Sequence, residues 1–262
     1  MEKKFKILLT NDDGIYASGL YSLYKELKND YKVHIVAPYS EMSAVGHAIT
    51  LNSPLRVQEI YRNNVFYGYA VIGTPADCVK IAVQELFKDS VPDIVLSGIN
   101  LGANVGIDVL YSGTVSAATE GAYLGIKSAA ISLDTRKNPD FTFASKFSRQ
   151  VIDFLLKNNF NRGITLNVNI PAVPKKDIKG VVFTRQAITQ YREYFEKRID
   201  PRGNVYYWLA GEIMIEENGR SDTDILALKN NMISITPISC DLTSNKDLER
   251  LKNDFQPFQW NF

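Results

Sequence analysis

The chain has 262 residues, 45% of them hydrophobic, with 30 lysines and arginines against 29 aspartates and glutamates and a net charge of +1. That length suits one large α/β domain, or one domain with an appended arm, and near-neutrality leaves no global field to draw in nucleic acid or an anionic membrane. Cys78 and Cys240, the only cysteines, stand far apart, which predicts free thiols in a reducing compartment and no structural zinc site.

The first apolar run, Phe5-Lys6-Ile7-Leu8-Leu9-Thr10, reads as a buried parallel strand. Basic residues precede it, but the run is short and offers no small-residue cleavage site, so no secretory leader is expected. Asn11-Asp12-Asp13-Gly14 follows at the strand's carboxyl end, where open α/β sheets place ligands. Adjacent carboxylates call for a cation. A hard divalent ion such as Mg²⁺ or Mn²⁺ accepts carboxylate, amide and hydroxyl oxygens and keeps positions open for a phosphate. The same four residues are common turn formers, so at this point a plain turn stays open beside the metal site.

A helix pattern over Leu20 to Leu27 leads to a second strand, Val33-His34-Ile35-Val36-Ala37. The loop after it, Ala37 to His47, is small and polar. Alone it reads as a turn that Ser43 caps, with His47 an ordinary polar residue; the alternative is a hydroxyl ligand. Gly73-Thr74-Pro75-Ala76-Asp77 reads as the capped start of a helix over Asp77 to Phe87. After the strand Asp93-Ile94-Val95-Leu96-Ser97 comes Ser97 to Gly106, whose glycines let backbone N–H groups approach a ligand and whose Asn100 and Asn104 add amide oxygens and donors. It lacks the Gly-Lys-Ser/Thr ending of a Walker loop and the glycine spacing of a dinucleotide fingerprint. Tyr111-Ser112-Gly113-Thr114 then opens a small-residue helix, predicted over Ser116 to Leu124. Its N-terminus is a ready anion site, and Ser112 or Thr114 also serves as an ordinary cap.

Strands at Ser128 to Leu133 and Ile164 to Asn169 flank a helix over Phe141 to Lys157. The alternation predicts an α/β fold, a mostly parallel sheet covered by helices on both faces, with the strand carboxyl ends along one rim. Pro171 to Lys176 breaks the rhythm. Beyond it lie strands at Val181 to Thr184, Val205 to Leu209 and Met232 to Thr236, a short helix near Thr223 to Leu228, and a density of aromatics that suits either an arm packing on another subunit or an extension folded on its own core. The division expected is a catalytic domain over 1–172 and a β-rich extension over 173–262 that partly returns to the core. No run approaches the roughly 18 apolar residues that span a bilayer, and a cytoplasmic protein without membrane or stable nucleic-acid partners is expected.

Four motifs in order carry a resemblance: Thr10-Asn11-Asp12-Asp13-Gly14; Val36-Ala37-Pro38 with Ser43 and Gly46-His47-Ala48-Ile49-Thr50; Gly73 to Val79; and Ser97-Gly98-Ile99-Asn100 running to Tyr111-Ser112-Gly113-Thr114. Together they closely resemble the SurE (survival protein E) family of metal-dependent nucleotidases. The likeness extends more loosely through Leu166 to Pro171, Thr184-Arg185-Gln186, Thr223-Asp224 and Ile233 to Pro237. It implies a Rossmann-like domain with a C-terminal extension used in homodimer or homotetramer assembly. It implies that Asp12, Asp13, Ser43 and Asn100 ligate one divalent metal per subunit, Mg²⁺ or Mn²⁺, and that Asn104 and Ser112-Gly113-Thr114 hold the phosphate. Tyr39 and Met42 stand where the family more usually has polar or charged residues.

The activity implied is hydrolysis of nucleoside monophosphates, with 3′-nucleotides and short polyphosphate as further substrates to test. Asp12 positions or deprotonates the attacking water in this reading, and Asn104 joins it as a catalytic residue; Asp12 as a covalent nucleophile is the alternative within the same reaction class. A non-catalytic nucleotide-binding regulator is the rival from another class. It fits the paired acids poorly, because anions beside a phosphate cost affinity unless a metal bridges them.

Overall fold

Lys6–Thr10 (β1) forms the hub of the sheet because its apolar residues are covered on both faces: Ile7, Leu8 and Leu9 are all fully buried. The structure, a computed structural model, describes residues 4–215 and 220–254. After β1 come Ser18–Leu27 (α1), Lys32–Pro38 (β2), Arg56–Arg62 (β3), Val65–Ile72 (β4), Pro75–Ile81 (α2), Ile94–Leu101 (β5), Asp108–Tyr111 (α3) and Gly113–Tyr123 (α4). Lys127–Asp134 (β6), Thr142–Lys157 (α5), Ile164–Pro171 (β7), Gly180–Phe183 (β8), Thr189–Ile199 (β9), Val205–Ile215 (β10), Asp224–Lys229 (α6), Met232–Ser239 (β11) and Asn245–Asp254 (α7) complete it.

Nine strands form one sheet in the order β3-β4-β2-β1-β5-β6-β7-β11-β8. From β4 through β2, β1, β5 and β6 to β7 every pairing is parallel; β3 joins β4, and β11 joins β7, antiparallel. Alternation along β1 sends Ile7 and Leu9 to the face covered by α1 and α5, with Leu20, Leu23, Val151 and Leu155, and Leu8 to the face covered by α2 and α4, with Val79, Val95 and Ala117. Helices thus cover both faces of a mostly parallel sheet, the α/β fold the alternation predicts. The chain leaves β1 for β2 on one side and returns to β5 on the other, which makes the carboxyl ends of β1 and β5 the switch point of the sheet.

Tight contacts seat two helices against the sheet. A Cβ on Gly19 would lie 2.0 Å from the Ile99 carbonyl oxygen, and one on Gly121 would lie 2.9 Å from Val95 Cβ. Several elements depart from the sequence expectation. The helix predicted over Asp77 to Phe87 runs as α2 only to Ile81 and continues as a π-turn over Ala82–Leu86. Helix α4 begins three residues before Ser116, because Ser112 caps it by accepting from Val115 N–H at 3.0 Å. The β3–β4 hairpin and β9 were not expected: β3 buries only Ile60, and the described side chains of β9, residues 192–199, are all exposed, so no buried apolar alternation marks β3 or β9.

β9 and β10 form a separate two-stranded antiparallel hairpin, and β11 returns to the main sheet between β7 and β8. Among the described residues, no helix is long and apolar enough to cross a membrane.

Candidate active site

The Asp12-Asp13 turn is locked from three directions. Gly14 turns with φ +93°, a conformation that favours glycine, and Asn11, fully buried, donates its amide to the Gly14 carbonyl at 2.9 Å. The loop after β2 is tied to the same turn by Met42 N–H on the Asp12 carbonyl at 2.8 Å and by Ile15 N–H on the Pro38 carbonyl at 2.8 Å. Gly113 permits the third approach. A Cβ there would stand 2.7 Å from Asp12 Cβ, so only glycine lets the start of α4 lie this close.

These loops enclose a pocket of about 540 Å³ lined by Asp12, Asp13, Ser43, Asn100, Asn104 and Ser112, with Glu41, Asp108, Tyr111 and Arg136 in its walls. Six of the eight residues singled out in the sequence thus share one cavity. Gly113 and Thr114 do not line it. They sit behind Asp12, where the Thr114 hydroxyl donates to Asp12 Oδ1 and its backbone also hydrogen-bonds the carboxyl. Both Thr114 donors face the carboxylate; the pocket keeps the Ser112 hydroxyl.

Burial pushes the Asp12 carboxyl above its ordinary value, opposed by the Thr114 bonds. Asp13 is pushed up to about 6, first by burial and then by the charge of Asp12, with Glu41 adding to both. Ser43 donates to Glu41 Oε1 at 2.6 Å. Asn100 donates its amide to the Gly102 carbonyl at 2.8 Å, which leaves its side-chain oxygen to accept or ligate. Three more oxygens at these strand ends, Thr10 Oγ1, Asn11 Oδ1 and Ser97 Oγ, are buried without a hydrogen-bond partner. Among the described residues there is no group of three or more His, Cys, Asp and Glu side chains set to hold a metal. A cation here would rest on two carboxylates with neutral hydroxyl and amide oxygens, a hard donor set that suits Mg²⁺ or Mn²⁺.

Asn104 is held on all sides. Its N–H donates to Asn169 Oδ1 at 2.8 Å, its carbonyl accepts from Asn167 at 2.8 Å and Asn169 at 3.0 Å, and its amide donates to Ser132 Oγ at 2.9 Å. Sequence reasoning missed Glu41, Asp108, Tyr111 and Arg136. Glu41 stood inside a loop already of interest; Arg136 lies on the β6–α5 connection, where nothing local marked it.

Other motif residues are structural. Thr74 and Asp77 form a reciprocal cap at the start of α2, and Asp77 also accepts from Thr50 N–H at 3.0 Å and its hydroxyl at 2.6 Å. His47 Nε2 lies 2.9 Å from Glu120 Oε2, and Lys80 Nζ lies 2.7 Å from Glu120 Oε1. Burial is the largest influence on the Glu120 carboxyl and raises it, but the hydrogen bonds from His47 and Lys80 together outweigh burial and leave it below its ordinary value.

A family model described as survival protein SurE matches residues 7–193. The chain is 56% identical over 247 residues to a 5′-nucleotidase SurE of Syntrophus aciditrophicus, covering 94% of this chain and 92% of that one. It is 49% identical over 246 residues to one of Syntrophobacter fumaroxidans, covering 94% and 98%. A crystal structure of SurE from Aquifex aeolicus superposes with a TM-score of 0.81 at 39% identity, covering 96% of this chain and all of that one.

Proposed function

This chain belongs to the SurE family and is a 5′-nucleotidase, and we propose that it is metal-dependent and works through the pocket at the ends of β1 and β5. The observation that carries this reading is the convergence of Asp12, Asp13, Ser43, Asn100, Asn104 and Ser112 on one cavity. Asp12, Asp13, Ser43 and Asn100 would hold one divalent ion per subunit, Mg²⁺ or Mn²⁺. The repelling carboxylates, with unpartnered oxygens behind them, fit a cation and little else. When bound, the ion supplies positive charge that polarises a phosphoryl oxygen and favours an ionised nucleophile.

The chain's own groups do the rest. The Asn104 amide and the Ser112 hydroxyl hold the phosphate, and the start of α4 at Gly113 presents its dipole to it. Thr114 acts through Asp12: by donating to Oδ1 it orients the carboxylate that positions the attacking water and accepts its proton. Tyr111 and Arg136 in the walls meet the nucleoside side of the ester. The substrate is a nucleoside 5′-monophosphate, with 3′-nucleotides and short polyphosphate in the panel that tests its breadth.

We further propose that the protein is cytoplasmic and assembles as a homodimer or homotetramer through the β9–β10 hairpin, whose Tyr194, Phe195, Tyr207, Trp208 and Leu209 are exposed. Phosphate release from AMP, measured with Mg²⁺, with Mn²⁺ and with chelator, tests the activity. Release that persists undiminished in chelator, or in Asp12→Asn, defeats the assignment.

A further inference from the structure

The loop proposed to bind phosphate is fastened by residues that lie 80 and 118 positions away in sequence. Two residues beyond Asn104, Gly106 donates its N–H to Asp224 Oδ2 at 3.0 Å, and its carbonyl accepts from Gln186 Nε2 at 2.7 Å. Asp224 Oδ1 accepts from Ala187 N–H at 3.0 Å and from Ile225 N–H at 2.8 Å. The carboxyl is fully buried, which raises it above its ordinary value, and these N–H donors oppose that rise by favouring the charged form. The segment before β9 and the one that leads into α6 meet at this point: Arg185 N–H donates to the Asp222 carbonyl and Asp224 N–H to the Arg185 carbonyl, each at 3.0 Å, with an Arg185–Asp222 ion pair at 2.8 Å outside.

We infer that Asp224, with Gln186, is a positioning residue for the nucleotidase reaction: it pins Gly106 to this junction and so fixes where Asn104 and Ser112 meet the phosphate. Both backbone groups of Gly106 are held, so the segment from Asn104 to α3 cannot swing without breaking a buried bond to a charged group. Asn167 and Asn169 hold the same loop from β7 at Asn104 itself, so Asp224 sets the downstream half, which leads into α3 and Ser112. Of the residues that would hold the metal, Asp12, Asp13 and Ser43 stand on other loops, and Asn100 lies on β5 upstream of Asn104, where the Gly102 N–H on the Leu133 carbonyl and the Asn167 and Asn169 amides hold the chain without Asp224. The inference rests on the active-site reading above and names what holds one half of that site.

Asp224→Asn is the incisive variant. The amide keeps one oxygen for Ala187 and Ile225 N–H, and it turns its NH₂ toward the Gly106 N–H, where donor faces donor. Gln186→Leu removes the second tie with little change of volume and guards against a folding failure in the first. Three quantities are measured on the full-length protein: hydrogen exchange of the 102–112 segment, Mn²⁺ affinity, and kcat and KM for AMP at saturating Mn²⁺. The expected result is faster exchange confined to 102–112, Mn²⁺ affinity within about twofold of wild type, and KM raised about tenfold, the scale of one lost bond to a charged group, with Gln186→Leu moving the same way by less. Unchanged exchange at 102–112 together with a wild-type KM overturns the inference. So does protection lost evenly over the molecule with Mn²⁺ binding lost in step, which marks a purely structural role. A wild-type protein that releases no phosphate from AMP sinks the nucleotidase reading instead, and the exchange and Mn²⁺ measurements then still decide the anchor.

Discussion

At the ends of β1 and β5 polar side chains are buried, and on the β9–β10 hairpin apolar ones are exposed. Asp12 is 5% exposed and Thr114 and Asn11 not at all, whereas Phe195 is 68% and Trp208 58% exposed. Each inversion carries a cost: desolvated charge at the rim, hydrated aromatic surface on the arm. A protein keeps such features where a ligand or a second chain offsets the cost, and the two regions point to different partners, an ion with a phosphate for the rim and another copy for the arm. Changes at the rim should therefore alter chemistry with little effect on assembly, and changes on the arm the reverse.

The largest effect expected is from Asp12→Asn. It keeps shape and the Thr114 contact but removes the charge, and kcat for AMP should fall by about 10³-fold, on the scale of losing a key electrostatic group, while size-exclusion elution is unchanged. A variant with normal Mg²⁺-dependent turnover would break the rim half of the comparison. Gly113→Ala comes next. The added methyl meets Asp12 Cβ at 2.7 Å, so α4 or the carboxylate must shift, and kcat/KM should drop by about 10²-fold, as an ångström of misplacement costs, with a circular dichroism spectrum like the wild type's.

The third prediction concerns pH. Asp13 binds its proton more tightly in the folded chain, at about 6, than at the ordinary 3.8, so without a divalent ion the stability present below 3.8 is lost as pH rises through 6. An ion replaces the proton. The rise in Tm on adding Mg²⁺ should therefore be small at pH 5 and grow to pH 7, and Asp13→Asn should flatten that growth in a thermal-melt series; equal increments at both pH values would contradict it. The smallest effect on turnover is expected from Trp208→Ser, which should leave per-subunit kcat within about twofold, since exposed surface changes move stability little, yet shift the mass seen by light scattering toward monomer. Unaltered mass would mean the exposed aromatics serve something other than self-association.

Much of the fold was legible because β1, β2 and β5 are covered on both faces and read as mainly apolar runs, while β6 and β7 are short β-rich stretches, and in β7 Leu166, Val168 and Ile170 alternate with buried Thr165, Asn167 and Asn169. Strands β3 and β9 were illegible for the opposite reason: with one or both faces in water, charged residues such as Arg56 and Glu59 in β3 and Arg192, Glu193, Glu196 and Lys197 in β9 fill the positions a period would need. Thr114 shows the same limit in the site. Its place after Ser112-Gly113 marks a helix start and an anion site, but that its donors face Asp12 depends on how closely α4 packs against the β1 turn, a distance no local pattern encodes.

By itself the sequence determined the alternation of the central strands β1, β2, β5, β6 and β7 with helices, the rim on which the loops gather and the identity of the acidic turn, because these follow from short-range propensity and from the right-handedness of parallel crossovers. Only the tertiary structure decided that Glu41 and Arg136 wall the pocket, that Thr114 serves Asp12, and that Asp224 holds Gly106 across 118 positions of chain. Those contacts join segments distant in sequence, and burial fixes them: once water is excluded, each carboxylate and N–H must find its partner among whatever the packed sheet brings alongside.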